Sequence, residues 1–332
     1  MNYHITLIEG DGIGPEVMGS AVEILDASGV DIRWDKAIVG QEAVDKFGET
    51  VPEDTINSIK KTKVALKGPV TTPVGKGFRS ANVSLRQKLN LSACIRPVIN
   101  LPGIVTRYQN VDLVVVRENT EGLYSGLEHQ VVEGVVTSLK VISRNACNAI
   151  GRFAFDYCRN HGRRKVTAVH KAAVMKKSDG LFLEEIRKIA AKYPFIEYDE
   201  VAIDNLSMQL VTDPSQFDLL VMGNLYGDII SDLTSGLVGG LGVVPGANIG
   251  KDYAVFEPVH GSAPDIAGKD LANPLAAVLS AVLMLEYLGE HAAGNRIRDA
   301  AYKVLEEGKV RTGDLGGKSG TKEFTRAIIE SL

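Results

Sequence analysis

The alternation of strand-like and helical segments predicts an α/β fold around a largely parallel or mixed sheet. Short apolar runs, which are typical of buried strands, alternate with segments of helical periodicity. The chain has 332 residues, enough for about two domains, and 45 % of them are apolar. Its 34 glycines form separate clusters without a repeat, which excludes collagen-like and low-complexity chains.

Five apolar runs predict strands in chain order. Runs of this length without polar alternation are typical of strands that are covered on both faces. They span residues 5–8, 64–66, 113–116, 166–169 and 219–222. A further strand-like segment, 198–203, is predicted to end at Asp204.

Two helices can be placed by their ends. Pro15 suits the first turn of one helix, and Gly29 lies just beyond its end. Its apolar face consists of Met18, Ala21, Val22 and Leu25. Asn273 and Pro274 are a typical cap and first-turn pair for a second helix, which is apolar on nearly all sides as far as about Tyr287. We expect this helix to be buried in the core or in a subunit interface.

Charge and apolar content exclude several classes of protein. The 37 basic and 41 acidic residues give a net charge of −4, so we expect neither nucleic acid nor a membrane as partner. No secretory signal pattern is visible, and the most apolar run, 275–285, is too short to cross a bilayer. Cys94, Cys147 and Cys158 form no CxxC pair and are predicted to be buried free thiols. We expect a reducing compartment, either the cytoplasm or an organelle matrix such as the mitochondrial matrix.

The first glycine cluster, GDGIGP at residues 10–15, follows a strand and opens a helix. Its spacing does not match G-x-G-x-x-G, because the third glycine comes one residue early and a proline follows it. The sequence therefore does not predict a Rossmann fold, and a tight turn is the simpler interpretation. Three other clusters could bring backbone close to a phosphate, although each is weak evidence alone. They lie at residues 75–77, 239–242 and 260–264.

An acidic pair follows the fifth strand. If a helix begins near Gly227, Asp228 lies in its first turn, and Asp232, four residues later, shares the same helix face. With Asp204 they make three carboxylates without histidine or cysteine, a set that favours Mg²⁺ or Mn²⁺. A solvated acidic helix face is the alternative.

Four arginines, Arg79, Arg86, Arg96 and Arg117, lie at the ends of apolar elements. Guanidinium groups in such places need carboxylate or phosphate partners. Internal salt bridges would satisfy this need, as would a clamp for a substrate with several carboxylates.

Taken together, ten motifs resemble those of the decarboxylating β-hydroxyacid dehydrogenases, the isocitrate/isopropylmalate dehydrogenase family. They occur in the family's order and span nearly the whole chain. They are GDGIGPE, KGPVTTP, RSANVSLR, RENTEGLYSG, HKAAVM, NLYGDIISD, GGLG, PGANIG, FEPVHGSAPDIAGKDLANP and RTGDLGG. Within the family, the chain is most similar to the NAD-dependent isocitrate dehydrogenases.

The resemblance implies a two-domain fold with the active site in a cleft, distinct from the Rossmann fold. Residues 1–91 and 239–332 would form a large cofactor-binding domain, and 92–238 a small domain with a dimer-forming clasp around 122–143. The implied assembly is a homodimer or higher homo-oligomer with shared active sites.

The implied reaction is oxidative decarboxylation of isocitrate, a small tricarboxylate, to 2-oxoglutarate and CO₂ with reduction of NAD⁺. The resemblance assigns Lys171 to removal of the hydroxyl proton and Tyr124 to delivery of a proton to the enol carbon. It assigns Mg²⁺ or Mn²⁺ to Asp204, Asp228 and Asp232, with Asp204 coming from the neighbouring subunit. The implied substrate-binding residues are Thr72, Ser80, Asn82, Arg86, Arg96 and Arg117. The implied cofactor-binding residues are His260, Gly261, Ala263, Asp265, Ile266 and Asn273.

Substrate choice is expected to depend on Ser80 and Asn82, because polar groups there suit a third carboxylate better than an isopropyl group. Homoisocitrate, one methylene longer, is the main alternative substrate, and a non-catalytic regulatory subunit is a further alternative. Ser80 is interpreted as a substrate contact, with phosphorylation as the alternative.

The resemblance also predicts a preference for NAD over NADP. Asp265 can accept hydrogen bonds from ribose hydroxyls and would repel a 2′-phosphate. NADP-preferring relatives have lysine and tyrosine at Asp265 and Ile266, and tyrosine and arginine at Gly313 and Gly317. Ala173 is a departure, because many relatives have an asparagine there near the nicotinamide ribose.

Overall fold

The computed structural model describes residues 2–71 and 79–332. Within these ranges, twelve strands and eleven α-helices alternate along most of the chain. The strands are β1 Tyr3–Ile8, β2 Ile32–Lys36, β3 Val64–Lys67, β4 Ala93–Ile99, β5 Asp112–Glu118, β6 Glu128–Val132, β7 Val135–Ser138, β8 Lys165–His170, β9 Glu197–Ala202, β10 Leu219–Met222, β11 Pro245–Ile249 and β12 Ala254–Pro258. The helices are α1 Gly14–Ala27, α2 Gln41–Phe47, α3 Glu53–Thr62, α4 Ala81–Lys88, α5 Arg144–Asn160, α6 Ser178–Ala190, α7 Ile203–Thr212, α8 Asn224–Leu237, α9 Leu275–Tyr287, α10 His291–Glu307 and α11 Thr321–Glu330.

Ten of these strands form one mixed sheet in the order β2-β1-β3-β12-β11-β4-β5-β10-β8-β9. Strand β11 is antiparallel to both its neighbours, and β4 is antiparallel to β5. All other pairs in the sheet are parallel. The five predicted runs are all strands of this sheet, so the predicted α/β class is confirmed. Strands β6 and β7 form a separate, exposed hairpin.

The two helices predicted from their ends are present. In α1, Met18, Ala21 and Leu25 are buried, Val22 is half-buried, and Gly29 follows with φ +80°. Helix α9 is buried over most of its surface and packs against α1, α10, β11 and β12. It is therefore a core helix of this chain, which was one of the two predicted settings, the core or a subunit interface.

Two predicted boundaries are wrong and change the setting of the acidic residues. Helix α8 begins at Asn224 rather than near Gly227, and Gly223, with extended backbone, is its N-cap. Asp228 therefore lies in the second turn, and not in the first turn where a helix start near Gly227 would place it. Strand β9 ends at Ala202, so Asp204 lies in the first turn of α7, where a carboxylate is favoured by the helix dipole.

The predicted division into residues 1–91 with 239–332, and 92–238, stays a prediction. The sheet is continuous across that division, because β11 pairs with β4 through Ala247 and Ile95. A cluster of buried side chains from α5 and α6, including Phe155 and Ile186, covers one part of the sheet. A larger cluster centred on α1, α9 and α10 covers another.

The cysteines match the prediction of buried free thiols, since Cys94, Cys147 and Cys158 are all buried and unpaired. Burial raises the pKa of Cys147 to about 12 and that of Cys158 to about 11, so both stay protonated at neutral pH. Within the part of the chain that the structure describes, no helix has the length and apolar character needed to span a membrane.

Candidate active site

A cavity of about 230 Å³ brings together eight of the predicted site residues. Its walls come from α4, β4, β5, α8 and the segments next to them. The described side chains that line it are Ser80, Asn82, Val83, Arg86, Arg96, Arg117, Tyr124, Asp228, Asp232 and Val259. Residues far apart in sequence thus meet at one small and strongly polar space.

Three buried arginines dominate the wall of this cavity. Arg86 lies on α4, Arg96 on β4 and Arg117 on β5, and none of the three is more than 8 % exposed. Burial and the charge of Arg86 lower the pKa of Arg117, with a smaller contribution from Arg96, although Asp228 opposes the shift. Such a concentration of positive charge favours a ligand with several carboxylates.

Arg117 is fixed by α8. Its Nη1 pairs with Asp228, while its Nε and Nη2 donate to Asn224 Oδ1 at 3.1 Å and 2.7 Å. A Cβ on Gly227 would lie 2.4 Å from Arg117 Cγ, so only glycine leaves room for this side chain. Asn224 and Gly227 were missed as site residues, although both lie in the NLYGDIISD motif.

Tyr124 and Asp228 form a second contact in the cavity. The Tyr124 hydroxyl donates to Asp228 Oδ2, and the Arg117 guanidinium lies 5.0 Å from the centre of the Tyr124 ring. Burial and the hydrogen bond to Asp228 raise the pKa of Tyr124, so its hydroxyl stays protonated at neutral pH. A protonated phenol in this position is able to donate a proton to a bound substrate.

The two carboxylates on α8 have different environments. Burial alone would raise the pKa of Asp228, but the charge of Arg117 and the hydrogen bond from Tyr124 outweigh it and lower the pKa. Burial raises the pKa of Asp232, and the charge of Asp228 adds to this effect. Arg96 lies close to Asp232, with 3.5 Å between Nη1 and Oδ1, and donates to Ser231 Oγ at 3.0 Å.

A buried polar network lies behind Arg86. Glu257 on β12 accepts from Arg86 Nη2 at 3.2 Å and pairs with Lys67 Nζ at 2.5 Å, and Asn248 Nδ2 donates to it at 2.7 Å. Lys67 is only 1 % exposed, and its Nζ also donates to the Gly68 carbonyl. The sequence analysis missed this network, although a charged residue at the end of each apolar run VALK and AVFE was a usable signal.

Lys171 and Asp204 lie together but away from this cavity. Lys171 Nζ donates to Asp204 Oδ1 at 2.5 Å, and neither residue is among those that line the cavity. Within residues 2–71 and 79–332, no three His, Cys, Asp or Glu residues come together as a metal-binding group. One chain therefore does not bring Asp204 to Asp228 and Asp232.

The residues predicted to bind the cofactor lie where three loops meet. Ile13 N donates to the Ser262 carbonyl at 2.8 Å, and the hydroxyls of Thr71 and Ser262 are 2.6 Å apart. Asp11 Oδ2 accepts from the backbone N of Thr71 at 2.7 Å. A Cβ on Gly12 would come within 1.9 Å of the Ser262 carbonyl oxygen, so the first glycine cluster is a tight turn packed against the loop 260–264.

The polar side-chain atoms of His260 and Asn273 differ in their partners. Burial lowers the pKa of His260, and its Nε2 is buried without a hydrogen-bond partner among the described residues. Asn273 Nδ2 donates to Asp314 Oδ2 at 2.9 Å, while its Oδ1 caps α9 at the backbone N of Leu275. Exposed and partly exposed positions complete this surface. They are Gly261, Ala263, Asp265 and Ile266.

Of the site residues predicted between 72 and 80, only some lie within the described residues. Thr72 and the glycine cluster at 75–77 lie outside the described residues. Ser80 lies at the N-cap of α4, where its Oγ accepts from the backbone N of Val83 at 3.5 Å while facing the cavity.

A family model described as isocitrate/isopropylmalate dehydrogenase matches residues 4–328. The chain belongs to the isocitrate/isopropylmalate dehydrogenase family. It is 54 % identical, over 98 % of this chain and 88 % of the relative, to the isocitrate dehydrogenase [NAD] catalytic subunit 5, mitochondrial, of Arabidopsis thaliana. It is also 54 % identical, over 92 % of this chain and 86 % of the relative, to the chloroplastic 3-isopropylmalate dehydrogenase of Solanum tuberosum. The solved structure of isocitrate dehydrogenase from Methylococcus capsulatus matches with a TM-score of 0.96 at 50 % identity, covering 99 % of each chain.

Membership of the family confirms the predicted fold and the predicted enzyme class, a decarboxylating dehydrogenase. Percent identity alone does not select the substrate, because these two relatives, one named for isocitrate and one for 3-isopropylmalate, are both 54 % identical to the chain. The side chains around the cavity have to supply that distinction.

Proposed function

We propose that this protein oxidises isocitrate to 2-oxoglutarate and CO₂ with NAD⁺ as the hydride acceptor. The observation that carries the proposal is the set of three buried arginines around one cavity of about 230 Å³. A tricarboxylate matches these charges, and it explains how a chain with a net charge of −4 could bind a polyanion.

The polar wall next to Arg86 supports a third carboxylate over an isopropyl group. Asn82 Oδ1 and Arg86 Nε are buried and have no hydrogen-bond partner among the described residues. Among the described residues that line the cavity, only Val83 and Val259 are apolar. An isopropyl group would leave the polar atoms unpaired, which costs binding free energy.

Two side chains are proposed to move protons. Tyr124, which keeps its proton at neutral pH, would donate to the enol carbon after CO₂ has left. Lys171 would accept the proton of the substrate hydroxyl as hydride leaves C2. Both roles rest on the family's motif positions and on the polar setting described above.

The donor set on α8 fits a divalent cation. Asp228 and Asp232 share one helix face, and oxygen ligands without nitrogen or sulfur suit Mg²⁺ or Mn²⁺. The lowered pKa of Asp228 keeps its carboxylate ionised and able to coordinate. When bound, such a cation supplies Lewis-acid stabilisation of negative charge on the substrate oxygen.

The third carboxylate is proposed to come from a neighbouring copy of the chain. Asp204 is paired with Lys171, so a subunit that contributes Asp204 would contribute Lys171 with it. The β6–β7 hairpin exposes Val131, Val132 and Val136, each about 60 % accessible, and provides an apolar surface for such an assembly. We therefore propose a homodimer whose sites each use Tyr124 and Asp228 of one chain and Lys171 and Asp204 of the other.

NAD is proposed over NADP because of the surface near His260. Asp265 is exposed in the turn after the 260–264 loop, where its charge would repel a 2′-phosphate. Gly313 has open space around its Cα, but a Cβ on Gly317 would lie 2.0 Å from the Arg311 carbonyl oxygen. The glycine at 317 is therefore required by the fold. It is also one of the positions at which NADP-preferring relatives have another residue.

The deciding experiment compares kcat/KM for isocitrate, homoisocitrate and 3-isopropylmalate with NAD⁺ and Mn²⁺. We expect isocitrate to exceed 3-isopropylmalate by about 10⁴-fold, because the polar wall would be left unpaired. Homoisocitrate should be poorer by about 10- to 200-fold, as for one added methylene. A preference for either analogue would overturn the substrate assignment, and no turnover with any of the three would favour a regulatory subunit.

A further inference from the structure

Asp179 joins three segments of the chain around Lys171. It lies in the first turn of α6 and is only 3 % exposed. Its Oδ2 accepts from the backbone N of Lys171 at 2.7 Å and from the Tyr226 hydroxyl at 3.1 Å. Its Oδ1 pairs with Lys140 Nζ, which follows the β6–β7 hairpin. One buried carboxylate thus contacts the Lys171 loop, helix α8 and the chain beyond the hairpin.

A cation lies against the buried carboxylate of Asp179. Lys140 Nζ lies 4.6 Å from the centre of the Tyr226 ring as well as against Asp179. A buried carboxylate without a cation would be costly, so Lys140 balances the charge that Asp179 brings into the interior. Lys140, Tyr226 and the Lys171 backbone are therefore held by the same group.

The Lys171 backbone is constrained at both of its polar atoms. Strand β8 ends at His170, and the turn that follows has no regular helix or sheet partner to fix it. The Lys171 N–H is bonded to Asp179, and its carbonyl accepts from the backbone N of Val174 at 3.0 Å and of Met175 at 2.9 Å. The direction of the Lys171 side chain is set by this backbone, and its Nζ reaches Asp204.

We propose that Asp179 is a positioning residue for the reaction: it fixes the backbone of Lys171 and joins it to α8 through Tyr226 and to the hairpin through Lys140. This rests on the proposed role of Lys171 in removing the substrate hydroxyl proton. Displacing a proton acceptor by about 1 Å can lower the rate on the order of 100-fold. A rigid Lys171 backbone would therefore compensate for the free-energy cost of burying the Asp179 carboxylate.

The first test is Asp179→Asn, which keeps the size of the side chain and removes its charge. We expect kcat with isocitrate to fall by about 10- to 100-fold. KM for isocitrate should change less than about threefold, since the arginine wall is untouched.

Glu185→Gln is the matched control on the same helix. Glu185 is also 3 % exposed, and it accepts from Arg144, Lys188 and Asn148, but it does not contact Lys171 or Tyr226. We expect both variants to lower the Tm, because each removes one partner of a buried ion pair, while kcat and KM of Glu185→Gln should remain those of the wild type. If both variants lower kcat equally, Asp179 has only a structural role.

A second readout does not depend on turnover. Hydrogen exchange followed by mass spectrometry should show faster exchange of the Lys171 amide in Asp179→Asn, with segment 150–160 unchanged. Tyr226→Phe, which removes one hydroxyl, should lower kcat by a smaller factor. This variant replaces Asp179→Asn as the test if Asp179→Asn does not fold. Wild-type exchange and kinetics in both variants would refute the proposal. If the wild type fails to oxidise isocitrate while the exchange effect persists, the anchoring of Lys171 stands and the proposed reaction falls.

Discussion

Lys67 and Glu257 form an ion pair 2.5 Å long in the interior, next to Arg86, which lines the candidate active-site cavity. The two side chains come from β3 and β12, which are parallel neighbours in the sheet. Glu257 also holds Arg86, and Asn248 donates to the same carboxylate. The position of one arginine of the proposed substrate site therefore depends on a buried charge pair that never faces the substrate.

Glu257→Gln is expected to destabilise the protein by about 3–5 kcal/mol, because Lys67 would be left as an unpaired buried charge. The double variant Lys67→Met with Glu257→Gln should recover most of that stability. KM for isocitrate should remain raised in both variants, since Arg86 has lost its partner. Urea unfolding and steady-state kinetics measure the two effects. Equal stability of the single and double variants would contradict this account.

Because of Glu257, we also expect the free energy of unfolding to fall in acid. Burial alone would raise the pKa of its carboxyl group, but Lys67 and Arg86 outweigh burial and lower it from 4.5 to about 2. Its contribution to the free energy of unfolding, about 3 kcal/mol, should be fully present above pH 4.5 and lost as the pH falls towards 2. Urea unfolding at stepped pH values should show a shallower loss over this interval in Glu257→Gln than in the wild type.

Gly227→Ala should weaken substrate binding. The new Cβ would lie 2.4 Å from Arg117 Cγ and 2.5 Å from Arg117 Cβ, so β5 and α8 would have to move apart. We expect a loss of about 1–3 kcal/mol in stability and a clear rise in KM for isocitrate. Gly236→Ala on the same helix is the control, because no described atom outside its own helix lies within 4 Å of the new Cβ. It should leave KM unchanged and stabilise the helix by up to about 1 kcal/mol.

Hybrid dimers can test whether sites are shared between chains. Lys171→Ala and Tyr124→Phe should each be nearly inactive alone. When the two are unfolded and refolded together, half the dimers are mixed and each mixed dimer has one intact site, so about a quarter of wild-type activity should return.

The matched control for this experiment mixes Lys171→Ala with Asp204→Asn. These residues are paired within one chain and are proposed to enter the same neighbouring site, so no hybrid contains an intact one. Activity should stay at the level of the separate variants. Recovery of activity in this control would contradict the proposed sharing of sites. So would a failure of the Lys171→Ala and Tyr124→Phe mixture to recover activity.

Asp265→Lys combined with Ile266→Tyr should reduce kcat/KM for NAD⁺ and raise it for NADP⁺. The charge that would repel a 2′-phosphate is replaced by one that attracts it. Asp252→Lys, another exposed acid changed to lysine, is the control for net charge and should leave the ratio of kcat/KM for the two cofactors unchanged.

Gly313→Tyr should be tolerated, whereas Gly317→Arg should lower the Tm, because its Cβ would collide with the Arg311 carbonyl.

Short-range patterns in the sequence predicted part of the candidate site, and the resemblance to the family's motifs supplied the rest. The spacing of Asp228 and Asp232 places both on one face of α8 whichever residue begins the helix. Arg117 lies in β5, as the apolar run before it predicted, whereas the strand that carries Arg96 was not among the five predicted runs. The Lys67–Glu257 pair could not be predicted in this way, because it joins residues 190 positions apart and depends on which strands become neighbours.

The wrong start of α8 has an instructive cause. Glycine is a poor helix residue, so Gly227 looked like a boundary rather than an interior position. In the structure it is interior, and the space above it is filled by Arg117. The residue that weakens the helix pattern is thus needed by the site, a type of conflict that local propensities cannot resolve.

The hydrogen bond from Ile13 to the Ser262 carbonyl has a consequence for how the chain is made. Because β3 pairs with β12, and α1 packs against α9 and α11, segments near the amino terminus complete their contacts only after nearly the whole chain has been synthesised. A nascent chain stalled before residue 262 would lack the loop contact, and we expect its amino-terminal segments to stay sensitive to protease until the remaining residues emerge.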